Sequence, residues 1–320
     1  MRKPGTHITL LLTLLLTVLS LAGSACSHKD VVCPVGIERA INVRFEWDEY
    51  PEASPKGMTL MFYPISQGAK IWRFDIAGRD GGEVTLPVGT YAMLAFNNDL
   101  PGVRADDLGS FDGALAHLKT SSGVTRGCGN LYAATVKHLE ITPCGVSYTL
   151  PSGKVKECGK GLVRCYPRPL CSRYTVRVLE VRNIELLCAS QSLIDRMASC
   201  VNLSKGRPEP LACSLGIEMA AADEIPALTG SATCFGPVPG TGKHMLRLDI
   251  IRTDGQRLSK EFDVTDQIRT APNPRDVVIT IQEIEIPPDS IPPDPGGDGS
   301  DVGIVVGIDG WNVVNIDLTT

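Results

Sequence analysis

Ile41, Val43, Phe45 and Trp47 alternate with Asn42, Arg44, Glu46 and Asp48, the two-residue period of a strand with one buried face. A loop with Pro51 and Pro55 follows, and Met58 to Tyr63 restart a strand that Pro64 ends. Trp72, Phe74 and Ile76 share one face, and Gly78-Arg79-Asp80-Gly81-Gly82 reverses the chain into Val84 and Leu86. After the turn Pro87-Val88-Gly89, Tyr91 to Phe96 forms the next strand. Strands every ~8–12 residues between Pro/Gly turns predict an antiparallel β-sandwich over residues 37–145.

From Asn97 to about Cys171 the chain is turn-rich, and only Leu131 to Ile141 carries a strand pattern. A second sandwich is expected over 146–287. It is built on Tyr174 to Val178, Met245 to Ile250, an Asp254-Gly255 hairpin turn, Leu258 to Val264, and Val277, Ile279 and Ile281. Gln191 to Val201 reads as a short helix or a decorated loop. Residues 288–302 are rich in proline and glycine and form a linker, not core. Beyond it, residues 303–320 end in an alternating tail with Val314, Ile316 and Leu318 on one face. Such a strand either completes a sheet of its own protein or is donated to a partner.

The N-terminus carries a sorting signal over residues 1–25. Arg2 and Lys3 precede an apolar run of about 14 residues, too short to span a bilayer, and Gly23-Ser24-Ala25 lead into Cys26. A cysteine directly after small residues has the form of a bacterial lipoprotein signal, with Cys26 as the acylated first residue and 26–36 as a tether. Ordinary cleavage after Ala25 is the rival, since Gly23 stands where lipoprotein signals usually have leucine. Acyl chains bury about 0.8 kcal/mol per CH₂, and two or more of them anchor stably.

The net charge is −5, and removing a signal that contains Arg2 and Lys3 makes the body more acidic, which argues against nucleic acid as a partner. Of eleven cysteines, ten remain beside Cys26, and nine of these lie between Cys128 and Cys234. An even remainder in an exported chain suits disulfides, with buried thiols as the alternative. Metal ligation is disfavoured, because there is no Cys-x-x-Cys pair and no histidine between Cys144 and Cys234. His28, His117, His138 and His244 lie outside any catalytic motif. Gly236 to His244 superficially resembles a phosphate loop, but its prolines remove N–H donors and His244 replaces the hydroxyl residue. No cofactor, nucleotide or catalytic residue is expected. The pairs Asp48-Glu49, Asp106-Asp107 and Asp223-Glu224 read as solvated loop or strand ends.

Three stretches carry a family resemblance. They are Phe45 to Asp48 with Pro51 to Pro64; Trp72 to Ile76 with Pro87 to Tyr91 and Phe96 to Asp99; and Phe262 to Ile268 with Ala271 to Asp276. Together they resemble the Bacteroidetes lipoproteins carrying the domain DUF5119, a group similar to the anchor proteins of type V pili. The resemblance implies an all-β fold of two tandem transthyretin-like antiparallel sandwiches with a C-terminal strand segment. It also implies outer-membrane lipidation at Cys26 and a part in fimbrial anchoring, assembly or cell-surface adhesion, with fimbrial subunits as partners and no catalysis. A surface lipoprotein binding a glycan or host ligand is the alternative. Asp289-Ser290-Ile291 resembles the O-glycosylation acceptor of the same bacteria, with Ser290 as the residue that would be modified and an unmodified polar linker as the alternative.

Overall fold

The computed structural model describes residues 37–66, 68–150, 152–222, 225–288 and 311–313, and the regular secondary structure among them is almost entirely strand. The first half contains β1 (Glu38–Phe45), β2 (Gly57–Pro64), β3 (Trp72–Ala77), β4 (Gly81–Pro87), β5 (Gly89–Asn97), β6 (Val103–Asp106) and β7 (Leu115–Leu118). It continues through β8 (Val124–Thr125), β9 (Tyr132–Ile141), β10 (Val146–Thr149), β11 (Val155–Cys158), β12 (Leu162–Cys165) and β13 (Arg168–Pro169). The second half runs β14 (Ser172–Arg182), β15 (Leu187–Ala198), β16 (Cys200–Asn202), β17 (Arg207–Pro208), β18 (Ala212–Ala221) and β19 (Leu228–Cys234). β20 (Met245–Arg252), β21 (Arg257–Asp263), a short helix α1 (Thr265–Arg269), β22 (Asp276–Glu285) and β23 (Asn312–Val313) complete it.

The alternation in β1 has the expected result: Ile41, Val43, Phe45 and Trp47 are buried while Arg44 is exposed. β1 lies between β12 and β4, and this small sheet packs on a larger one ordered β11-β10-β9-β5-β2-β3. Val43, Leu86 and Val163 meet Leu60, Phe62, Met93 and Leu139 between the layers, each worth about 1.5–3 kcal/mol on burial. β2 is buried along nearly its whole length. Met58, Leu60 and Phe62 enter this core, while Met61 and Tyr63 enter a second one. Burial on both faces is why its run of apolar residues shows no alternation.

The second core lies between β22-β14-β19 and β18-β15-β20-β21-β23, which are joined because β18 pairs with β15 and then, at Ala220 and Ala221, with β19. Tyr174, Val176 and Ile279 there meet Ile194, Leu215 and Leu248. Leu94, Phe96 and Leu131 of the first half belong to this same cluster. The all-β class and the β-sandwich construction are as expected.

Several boundaries differ. The division expected between residues 145 and 146 falls inside the β9–β10 hairpin, where Tyr148 pairs with Leu139. Tyr148 is buried in the first core and its hydroxyl accepts the Arg164 N–H (3.1 Å), so residues 146–169 pair with first-half strands. The middle segment is not irregular but supplies β6 to β8 and β10 to β13. Each of those strands has four residues or fewer, too short for a period to be legible. Residues 191–201 are neither helix nor loop: β15 is a central strand paired with β18 and β20. Its core-facing Ser192 and a bulge between Ile194 and Met197 hide the alternation. Nor is pairing wholly antiparallel, since β1–β12, β14–β22 and β8–β18 are parallel.

Candidate functional site

The β20–β21 hairpin turns at Asp254-Gly255 as expected, with Gly255 at φ +86° and its N–H donated to Arg252 O (2.9 Å). β21 pairs with β20 along its full length. Among the described residues its outer edge is paired only at Leu258 and Ser259, opposite Val313 and Asn312. Trp311, just before this contact, is fully buried in the second core. Its indole N–H donates to Glu285 O (2.7 Å) at the end of β22, and the Lys260 ammonium lies 5.6 Å from a ring centroid. The chain is thus held to both layers of the sandwich, at the edge of one and the strand end of the other.

The chain leaves β22 through a second set of clamps. Ile286 donates to Arg182 O (3.1 Å) and accepts from Asn183 Nδ2 (2.8 Å). The buried Arg252 guanidinium donates to Pro287 O (2.7 Å) and Pro288 O (3.1 Å) and pairs with Asp254 (3.1 Å). Sequence reasoning missed Arg252 and Trp311. Arg252 stands beside a hairpin turn, where a cation ordinarily points to water. Trp311 was the better signal, the one aromatic residue after Phe262.

The residues predicted for attachment, modification and strand donation, Cys26, Ser290, Val314, Ile316 and Leu318, lie outside the described residues, as does Asp223-Glu224. Among the described residues the histidines assemble no catalytic group. Cys200 Sγ lies 3.7 Å from His117 Nε2 across the β7–β16 pair. Burial first, then the carboxylates of Glu209, Asp107 and Asp106, push the Cys200 thiol up to about 11, opposite to what a nucleophile needs. His244 is buried, with Nδ1 3.3 Å from Asp195 O. In the loop resembling a phosphate cradle, Gly240 O and Gly242 O accept from Arg269 (3.0 and 2.6 Å). These two carbonyls are turned to a guanidinium, the wrong polarity for phosphate.

None of the nine described cysteines is bonded to another in this structure, and Cys128 Sγ and Cys171 Sγ lie 3.6 Å apart. Trp47, Trp311, Tyr63, Tyr91, Tyr132, Tyr148 and Tyr174 are buried, and Tyr166 is an exposed exception. Tyr166 lines a cleft of about 330 Å³ between β9, β12–β13 and the loop at Lys205, together with Arg164, Arg168 and Arg275. Two of those cations are already paired, Arg164 with Glu46 (2.9 Å) and Arg168 with Glu49 (3.6 Å).

Residues 25–215 match the family model described as "Domain of unknown function (DUF5119)". The chain belongs to the DUF5119 family. This DUF5119 chain is 25% identical over 333 residues to a Bacteroides ovatus protein named "Putative fimbrium anchoring subunit Fim4B", with 94% of each chain covered. Its fold is similar to the crystal structure of "a putative adhesin" from Bacteroides ovatus, with a TM-score of 0.63 at 20% identity over 84% of this chain and 99% of that one. It is also similar to "the fimbrial anchor protein Mfa2" from Porphyromonas gingivalis, with a TM-score of 0.50 at 14% identity over 77% of this chain and 91% of the other.

Proposed function

We propose that this DUF5119 protein is an outer-membrane lipoprotein that anchors or caps a fimbrial polymer at the cell surface. Acyl chains on Cys26 hold the membrane and the C-terminal strand engages a fimbrial subunit. The register of β23 carries this reading. Val313 stands opposite Leu258 and Asn312 opposite Ser259. Among the described residues β23 pairs with β21 at these two positions only. In the sequence Val314, Ile316 and Leu318 continue the tail as alternating apolar residues, a pattern that suits pairing with the edge of another chain. The full-length relative named for fimbrium anchoring supports the same role and an envelope location. The role is structural and uses no catalytic group, nucleotide or nucleic acid.

Deleting residues 303–320 is expected to reduce incorporation into surface fibres while the protein still accumulates in the membrane fraction. Normal incorporation overturns strand donation. Cys26→Ala is expected to release the protein from membranes, and retention there overturns acylation. Ser290→Ala tests the linker modification by loss of a glycan mass.

One observation favours a second reading, a surface module for an anionic glycan: the cleft holding Tyr166 beside Arg164, Arg168, Lys205 and Arg275. Calorimetry with acidic oligosaccharides tests it, and silence across a panel removes it.

A further inference from the structure

We infer that Cys128 and Cys171 are the ends of a native disulfide that staples the first-half strands to the second-half sandwich. Cys128 lies between β8 and β9, where its N–H donates to Thr233 O (2.8 Å) of β19. Cys171 sits immediately before β14. The two sulfurs are 3.6 Å apart, and a disulfide of roughly 2.05 Å forms from that position by small side-chain rotations. Thiol hydrogen bonds are weak: Cys128 Sγ lies 3.4 Å from Thr233 O and Cys171 Sγ 3.7 Å from Gly129 O. Holding a half-buried and a buried thiol against each other brings little stability to a reduced protein, whereas the same placement suits a covalent bond. The contact with Cys128 first, working against burial, and then the Leu131 N–H and the Arg275 guanidinium lower the Cys171 thiol below the ordinary thiol value.

The oxidant is a protein disulfide of the envelope oxidation machinery, acting before the joint closes. One cysteine thiolate attacks the oxidant's disulfide and expels one of its thiolates. The second cysteine then attacks the mixed disulfide, forming the Cys128–Cys171 bond and expelling the other. Two protein thiols are oxidised, the oxidant's disulfide is reduced to two thiols, and both protons pass to those thiols. Once formed, the bond is shielded, because Cys171 is buried. The inference rests on the envelope location proposed above.

The test uses the full-length protein recovered from cells lysed in an alkylating agent, digested without reductant and analysed by mass spectrometry. A peptide pair joined through Cys128 and Cys171, with Cys234 alkylated, is the expected result. A parallel sample is reduced, refolded and treated with oxidised glutathione. If the pair bridges there but is alkylated in cells, the pairing is supported and the envelope location is what fails. Alkylation of both thiols in both samples overturns the inference, as does a bridge from either one to Cys234. Reduction is expected to lower Tm by roughly 4–12 °C, since the bond closes a loop across 43 positions. The Cys128→Ser/Cys171→Ser double variant is expected to lose that sensitivity; an unchanged response to reductant counts against the staple.

Discussion

Replacing Trp311 by alanine should release the C-terminal strand from its own sheet. The indole is fully buried and reaches from the β21 edge to the carbonyl of Glu285. A tryptophan buries about 150–250 Å², which at about 25 cal/mol per Å² corresponds to ~4–6 kcal/mol. Large aromatic truncations in cores cost about 3–5 kcal/mol, and the orphaned Glu285 carbonyl falls within that range. Among the described residues, two residue pairs of β23 on β21 are left to hold the strand. The ratio of docked to released tail should therefore fall by roughly a hundred- to several-thousand-fold. Hydrogen exchange reads the change at whichever of the two amides, Leu258 or Ser259, points toward β23, since the other faces β20. Trp311→Ala should abolish the protection that β23 confers at that amide while leaving that of β14 and β15 intact. Trp311→Phe, which keeps an aromatic ring and loses the N–H, should give an intermediate result. Unchanged protection in Trp311→Ala would falsify the claim that this ring locks the tail.

Arg252→Met removes a charged donor from two carbonyls and should lower stability by about 1.5–3 kcal/mol, read from urea midpoints. The Asp263 carboxylate accepts from the Thr265 hydroxyl and pairs with Lys243, and these hold its pKa at about 2, below the usual 3.8. The folded value is the lower one, so this contribution is complete above about pH 4 and lost as pH falls toward 2; Asp263→Asn should flatten that part of the stability profile. Gly230→Ala would place a methyl 2.2 Å from Glu218 O, inside the β14–β19–β18 pairing, and should destabilise by roughly 2 kcal/mol or more; a wild-type melting curve would refute this. Because both halves share one core cluster, Trp47 and Trp72 in the first half should report the same denaturation midpoint as Trp311 in the second. Separate midpoints in tryptophan-to-phenylalanine variants would refute that coupling.

What was legible in the sequence follows from burial. β1 has one buried face, so Ile41 to Trp47 showed a clean period and the reading survives residue by residue. β15 is central, but Ser192 faces the core and hydrogen-bonds the sulfur of Met219, so a polar letter stood where the pattern needed an apolar one. The strands between Asn97 and Cys171 gain their order from distant partners, as β12 does from β1, and four residues carry too little pattern to reveal it. The same holds for the site. The tail and linker were visible as composition, but the clamps formed by Arg252, Asn183 and Trp311 depend on a fold that brings residues 182–187, 252–254 and 285–288 together.

In the proposed anchoring role, load passes from one end of the chain to the other. At the first end, β1 is fixed by parallel pairing from Asn42 to Phe45 with β12, and the Arg164–Glu46 ion pair sits beside it. At the second, Trp311 and the clamps on residues 286–288 fix the strand and the start of the linker. Between them no linker intervenes, since β13 ends at Pro169 and β14 starts at Ser172. Met61, Leu94 and Phe96 of one half pack in the same cluster as Tyr174 and Val176 of the other. Pulling the halves apart therefore exposes a continuous apolar surface before either unravels, which two sandwiches strung on a tether would not require. Cys128 and Cys171 lie across that same joint, where a covalent bond adds resistance that hydrophobic contact alone does not supply.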